Sequence, residues 1–207
     1  MESRESARLE AFSDAVIAIS ITLLGLDLKL PITDDKTSLL QGLADQWPVY
    51  LAFLVSFFTL LMMWYIHSVY FRFINSLNRE VFYANGLILM LSISIPFVTR
   101  LVAEYMTKKS SGTAISIYTS FGPLVSLAYL WLIDAIYRAR TSHNPEVPLE
   151  AIRKVRNKIR FGPPSYILAF ALSFVLPYVA LALCMAINLY WGFTRLHYFE
   201  TTKKTKK

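Results

Sequence analysis

The sequence has 207 residues, of which 55% are hydrophobic and only 17% are charged. Soluble domains carry about 25% charged residues, and several apolar blocks here approach the ~20 residues of a bilayer crossing, so a disordered chain and a soluble catalytic domain are both disfavoured. The net charge is +7, but Lys and Arg lie between and after the apolar blocks, without the aromatic-interleaved patch expected of a nucleic-acid partner. The composition therefore predicts an all-α, polytopic membrane protein.

Six transmembrane helices are predicted in chain order. The first ends before Pro31, and the third and fourth contain Pro96 and Pro123, where kinks are expected. The last apolar block is too long for one upright crossing, so we divide it at Pro177. The predicted helices are 8–30, 47–73, 80–104, 113–138, 157–175 and 177–195, within a single domain at 1–207 that ends in a basic tail at 201–207.

Six crossings place both termini on the same side of the membrane. With the N-terminus in the cytoplasm, 16 of the 21 Lys and Arg residues fall in cytoplasmic segments, including a basic cluster at 153–160 and the tail. The remaining five are Lys29, Lys36, Arg100, Lys108 and Lys109. Because cytoplasmic loops are enriched in Lys and Arg, we predict a multi-pass protein of the cell membrane with both termini cytoplasmic. Whether the basic cluster and tail bind anionic lipid or a partner, or only set the topology, stays open.

A polar motif opens the first predicted helix. Arg8 is followed one helical turn later by Phe12, Ser13 and Asp14. An ionisable residue at membrane depth is costly unless it has a partner, whereas Ser and Asp are also common caps of helix N-termini. The motif therefore indicates either a helix cap or a buried polar network that includes the arginine.

A second polar pair lies on the second predicted helix. Trp64 and His67 are three residues apart and so share a helical face. Indole and imidazole N–H groups can donate hydrogen bonds to a buried carboxylate such as Asp14. The alternative is an interfacial Trp beside a His that faces a water-filled vestibule. A metal or proton-relay role is disfavoured because the other histidines, His143 and His197, lie far along the chain.

An aliphatic stripe runs along the first predicted helix. At about 100° per residue, Ile19, Leu23, Leu26 and Leu30 share one face with Thr22 beside them. Such a stripe lines a pore, faces lipid or packs against another helix, and periodicity does not distinguish these three roles.

The opening of the first helix carries the pattern Arg8-x-x-x-Phe12-Ser13-Asp14, followed directly by Ala-Val-Ile-Ala-Ile-Ser-Ile-Thr-Leu-Leu. This pattern resembles the signature of helix 1 in the lysosomal transmembrane potassium channel family, in particular its prokaryotic members. The similarity extends to Trp64-x-x-His67, to Asn85 and Pro96-Phe97 on the third helix, to the basic connector before a closely spaced last helix pair, and to a length that fits one six-helix repeat.

The resemblance implies a potassium-selective channel in which a homotetramer surrounds the pore with its first helices. It assigns an apolar constriction to Ile19, Leu23 and Leu26, and a polar layer to Thr22, near which K⁺ would pass transiently. It implies no cofactor besides the permeant ion. The sequence contains no Thr-Val-Gly-Tyr-Gly segment and no arginine-rich repeated helix, so a carbonyl filter and conventional voltage sensing have no support.

Two other classes of membrane protein are alternatives to a channel. In a secondary transporter or proton-coupled carrier, Asp14 and His67 would titrate during the cycle, although no inverted repeat supports this reading. A structural scaffold would use the basic cytoplasmic face to bind anionic lipid. An enzyme is not expected, because the sequence has no HExxH motif, Gly-x-Ser-x-Gly motif or paired carboxylates.

Overall fold

The computed structural model describes residues 2–31, 38–139, 144 and 147–204, and these are all helix, turn and coil apart from one isolated bridge residue at Ile74. The α-helices in this part of the chain are α1 Glu2–Leu24, α2 Leu39–Asp45, α3 Trp47–Phe71, α4 Arg79–Tyr105, α5 Ser111–Arg138, α6 Leu149–Ile159, α7 Gly162–Ser173 and α8 Pro177–Lys204. A 3₁₀ turn, Gly25–Asp27, follows α1.

Four segments are long and apolar enough to cross a bilayer. They are Arg4–Asp27, Trp47–Phe71, Arg79–Tyr105 and Ser111–Arg138. At 1.5 Å per residue, each exceeds the ~30 Å thickness of the hydrocarbon core. The apolar parts of α7 and α8 are shorter. The chain is thus an all-α membrane protein with four clear apolar spans and additional shorter helices.

The prolines have different effects in different helices. Pro96 and Pro123 lie inside α4 and α5, which continue on both sides of them. Pro177, in contrast, is the first residue of α8, and α7 has already ended at Ser173. A proline is tolerated at the first helical position because its missing N–H would have no intrahelical partner there.

The segment predicted as a polar connector followed by a helix at 157–175 has a different structure. It contains two helices, α6 and α7, separated at Arg160 and Phe161. Helix α6 forms because Ile152 and Ile159, two turns apart, are both buried. Gly162 and the two prolines after it begin a new helix rather than extend α6, because a proline ring removes a backbone donor and excludes the preceding helical turn.

The first helix also differs from its predicted range of 8–30. It begins at Glu2 and ends at Leu24, and Gly25 starts the 3₁₀ turn. Glycine is among the weakest helix formers, so the α-helix ends there.

Among the residues named in the sequence predictions, Lys36, Arg140 and His143 lie outside the described residues, as do 205–207 of the predicted tail.

Helix α4 is at the centre of the core. Its buried residues Val81, Ile88, Ile95 and Val102 recur every seven positions, the spacing that keeps one side of a helix against its neighbours. Helix α4 contacts α1, α3 and α5, while α7 packs against α5, and α8 packs against α3, α5 and α7. Helix α1 is therefore at one edge of the bundle.

Candidate functional site

Helix α1 has one face directed into the subunit. Ser13, Ile17, Ser20 and Leu24 are essentially inaccessible to solvent, and their spacing of four, three and four residues defines a single helical stripe. This stripe packs against α3 and α4.

The opposite face of α1 is exposed in the part of the subunit that the structure describes. Ile19 is 57% exposed and Leu26 is 70% exposed, and Leu23 and Thr22 are exposed beside them. Leu26 lies in the 3₁₀ turn and not in the α-helix, but three residues make one turn there, so it follows Leu23 on the same side. Leu30 lies beyond the helical part and is not a continuation of the stripe.

Thr22 is held in a defined orientation. Its hydroxyl donates a hydrogen bond of 2.8 Å to the carbonyl oxygen of Ile19. Because the hydroxyl proton is used in this way, the lone pairs of Thr22 Oγ1 are free to accept a hydrogen bond or to contact a cation.

Asn85 of α4 connects α1 to α3 in the interior. Its Nδ2 donates to Ser13 Oγ at 3.0 Å, and its Oδ1 lies 2.7 Å from Nε2 of His67. Since the amide oxygen only accepts, this geometry selects the His67 tautomer that carries its proton on Nε2. Ser13, His67 and Asn85 are all buried, so the three side chains bond to one another away from water, while Nδ1 of His67 has no hydrogen-bond partner among the described residues. His67 also stacks on Phe71 at 4.3 Å between ring centroids.

Asp14 makes a second, more peripheral contact between α1 and α3. The indole Nε1–H of Trp64 donates a 3.0 Å hydrogen bond to Asp14 Oδ1. Asp14 is half-buried and Trp64 is exposed, so this contact is closer to solvent than the Asn85 contact. Together the two contacts hold the first half of α1 against α3 and α4.

The polar network observed within the subunit differs in membership from the predicted one. Arg8 is exposed, and its guanidinium makes no ion pair with any acidic residue in the described part of the chain. Phe12 is exposed as well, on the side of α1 away from the core. His67 pairs with Asn85 and not with Asp14. Asn85 was missing from the predicted network, although an amide inside an otherwise apolar helix is a signal for such a role.

A second set of buried polar side chains lies deeper in the subunit, between α3, α5, α7 and α8. The Tyr118 hydroxyl lies 3.1 Å from Ser56 Oγ and 3.4 Å from Thr59 Oγ1, and Asn188 links Thr59 to Tyr166 with bonds of 2.9 and 2.8 Å. All of these residues except Ser56 border a mostly apolar cavity of about 60 Å³. The set joins helices of one subunit and so stabilises the bundle.

The described residues contain no group of three or more His, Cys, Asp or Glu side chains that would hold a metal ion. The features that stand out chemically are therefore the unpartnered aliphatic face of α1 and the polar contacts behind it.

Comparison with known proteins shows the family of the chain. Residues 8–96 match the family model described as the endosomal/lysosomal potassium channel TMEM175. The chain is 35% identical over 193 residues to a potassium channel of Chamaesiphon minutus, covering 92% of this chain and 95% of the relative. It is 36% identical over 197 residues to a potassium channel of Streptomyces collinus, covering 93% of this chain and 94% of the relative.

A solved structure shares the same fold. The crystal structure of a lysosomal potassium-selective channel TMEM175 homolog from Chamaesiphon minutus superposes with a TM-score of 0.84 at 34% identity, covering 92% of this chain and 98% of that one. The structural similarity extends over nearly the whole length of both chains, and the family-model match includes Phe12-Ser13-Asp14. The chain therefore belongs to the TMEM175 family of potassium channels.

Proposed function

We propose that this chain forms a potassium-selective channel in the cell membrane, in which α1 helices of four subunits line the pore. The observation that carries the proposal is the exposed aliphatic face of α1, with Ile19 and Leu23 at its centre. The relatives that match over nearly the full chain are potassium channels by name. A face this apolar needs a partner other than water, and symmetry-related copies of itself around an axis provide one.

In the proposed pore, Ile19, Leu23 and Leu26 form successive apolar rings. A narrow apolar ring resists wetting, so it blocks ions when closed and conducts only when it is wide enough to hold water or a partly dehydrated ion. The ring at Ile19 is the proposed constriction, and Leu23 and Leu26 extend it toward the outer end of the helix.

Thr22 supplies the polar layer of the proposed pore. Four hydroxyl oxygens around the axis replace part of the hydration shell of a passing K⁺ ion. The hydrogen bond from Thr22 to the Ile19 carbonyl supports this role because it leaves the lone pairs of Oγ1 unoccupied. Such a filter has no charged ligands, so it distinguishes K⁺ from Na⁺ by the greater cost of stripping water from the smaller ion, and its selectivity is moderate.

The polar contacts behind α1 have a positioning role in this proposal. A pore helix that bears hydrophobic gating residues must keep its rotation, because a turn of about 100° moves the next residue into the pore. The contacts of Ser13 with Asn85 and of Asp14 with Trp64 resist such a turn from two sides of the helix. A carrier that uses Asp14 and His67 gains no comparable support, since His67 is bound to Asn85 and separated from Asp14.

Recording from purified protein in planar bilayers tests the proposal. Unitary K⁺ currents, together with the mass of a tetramer in light scattering of the detergent-solubilised protein, are expected. Coupled, saturable flux without unitary currents would indicate a carrier instead, and a protein that is electrically silent in both K⁺ and Na⁺ would contradict the channel proposal.

A further inference from the structure

Helix α6 presents two chemically different faces. Ile152 and Ile159 are buried in the same core as α3, α4 and α5, and the helix packs against α5. The opposite face is polar and strongly basic. In the sequence, the end of α6 lies just before the start of α7. A short amphipathic helix of this kind, directly joined to an apolar helix, is typical of the membrane interface.

One basic side chain of α6 is committed to holding the helix in place. Arg156 forms an ion pair with Asp134 of α5, and both side chains are largely shielded from solvent. Its guanidinium also lies 4.8 Å from the ring centroid of Tyr137, within the range of a cation–π contact. Arg156 therefore fixes α6 to the end of α5. Its guanidinium is already paired with Asp134 and is not counted as part of a surface for another partner.

Three further basic residues of α6 and its C-terminal end are directed outward. Arg153 and Arg160 are seven residues apart and share one helical stripe, with Lys154 beside it, and all three are exposed. None of them forms an ion pair with an acidic residue in the described part of the chain. We name these three side chains the α6 basic face.

The α6 basic face lies where the chain enters its next apolar helix. Phe161 directly follows Arg160 and is 71% exposed, and α7 begins at the next residue. An exposed aromatic ring beside an arginine is suited to the boundary between headgroups and acyl chains, where the ring contacts the chains and the guanidinium contacts phosphate.

We propose that the α6 basic face binds the headgroups of anionic phospholipids in the cytoplasmic leaflet. A purely topological role requires only a sufficient number of positive charges near the membrane. Here the charges are in addition held in a fixed array, because Arg156 and the two buried isoleucines anchor the helix that carries them. The neighbouring Phe161 favours a lipid over a soluble anion, since a free phosphate offers nothing for its ring to contact.

Lipid binding to the full-length protein tests this inference without any measurement of current. Short-chain phosphatidylglycerol is titrated into detergent-solubilised protein, and bound lipid is counted by native mass spectrometry. Each basic residue near a membrane surface contributes about a fivefold change in affinity, so the R153Q/K154Q/R160Q variant should bind phosphatidylglycerol on the order of 100-fold more weakly. The R153K/R160K variant keeps the charges and should retain most of the affinity.

The matched control removes three charges from the opposite end of the bundle. The K29Q/K108Q/K109Q variant changes the net charge equally and should bind phosphatidylglycerol as the unchanged protein does. Equal weakening in both triple variants, or no weakening in either, would overturn the proposal and leave a topological role. Equal affinity for phosphatidylcholine, or full competition by glycerol phosphate, would also overturn it. This outcome is independent of channel activity, so it can fail while the proposed function stands.

Discussion

Asn85 is the residue on which the attachment of α1 most depends. It bonds Ser13 on one side and His67 on the other, and the whole group is buried. A buried donor that loses its only partner costs more free energy than a hydrogen bond gains, because the group was desolvated on folding.

We therefore expect N85A to destabilise the protein. The Nε2–H group of His67 is left without its acceptor, which costs about 1–3 kcal/mol, and the midpoint of thermal unfolding in detergent should fall. The control is S94A on the same helix, where an exposed hydroxyl bonds only to the Met90 carbonyl, and its midpoint should hardly change. Equal midpoints for the two variants would argue against the anchoring role of Asn85.

Ile19 and Ile17 are two residues apart on α1 but have opposite surroundings. Ile19 is exposed in the subunit, and Ile17 is fully buried. If Ile19 forms the proposed constriction, I19A widens it and lowers the K⁺/Na⁺ permeability ratio, measured from reversal potentials under bi-ionic conditions. I17V should cost about 0.5–1.5 kcal/mol of stability and leave the ratio unchanged. An unaltered ratio in I19A would remove Ile19 from the pore.

At the residue scale, local sequence predicted some partners and missed others. Asp14 and Trp64 could be paired because a carboxylate and an indole N–H at membrane depth both need a partner, and they do meet. The contact between Ser13 and Asn85 joins residues 72 positions apart, and nothing local in the sequence specifies which polar residue of α4 comes opposite α1. Arg8 was expected in the network because of its charge, but its position near the helix start leaves it exposed.

Among the elements, α6 has the structure that was least expected. Eleven residues with four basic side chains are predicted from the sequence largely as a connector, yet they fold because Ile152 and Ile159 are buried and Arg156 contacts Asp134. A half-buried ion pair with an added aromatic contact is coupled more strongly than an exposed one, since less solvent screens it.

A double-mutant cycle measures this coupling. For R156Q and D134N, the unfolding free energies of the single and double variants should give an interaction energy of about 0.5–3 kcal/mol. The control pair is Arg100 and Glu104, an exposed i, i+4 pair at 3.0 Å, whose coupling should be only about 0.3–0.5 kcal/mol. A coupling no larger than that of the control pair would mean that α6 is held by its isoleucines alone.

The long helices could be predicted because their signal is simple. Runs of more than 20 apolar residues specify a membrane-spanning helix almost independently of their neighbours, and α3, α4 and α5 lie within two residues of the ranges expected for them. In contrast, α1 ends at Leu24 before one glycine, and α6 is separated from α7 at a glycine followed by two prolines. These residues compete with favourable helical sequence on both sides. Packing against neighbouring helices decides where such a helix ends, and the hydrophobic pattern of the sequence does not specify that packing.

For the whole molecule, we propose the orientation in the membrane from the charge distribution. Lys109 and Glu150 are exposed near opposite ends of α5. In a C184S background, which loses only a buried thiol, K109C should react with a membrane-impermeant maleimide in intact cells. E150C should react only after permeabilisation, because both termini and α6 are expected in the cytoplasm. Labelling of E150C in intact cells would reverse the proposed topology.

Assembly is the part of the whole molecule that a single sequence specifies least. The aliphatic face of α1 was evident from its spacing, but a pore-lining face, a lipid-facing one and a packing surface have the same pattern. In the folded subunit Ile19 and Leu26 are exposed, so this face is not a packing surface within the subunit. A pore-lining role and a lipid-facing role remain. The choice between them rests on the family to which the chain belongs.

The shortness of α7 has a consequence for the membrane around the protein. Its 12 residues rise about 18 Å, against about 30 Å of hydrocarbon, and the turn after it exposes Phe174, Val175 and Leu176 instead of polar groups. If α7 is the fifth crossing, acyl chains along this edge must compress to match it. Bilayer thickness thereby becomes a mechanical load on the subunit, which short-chain lipids relieve and long-chain lipids increase. The load is applied where α7 packs against α5 and α8.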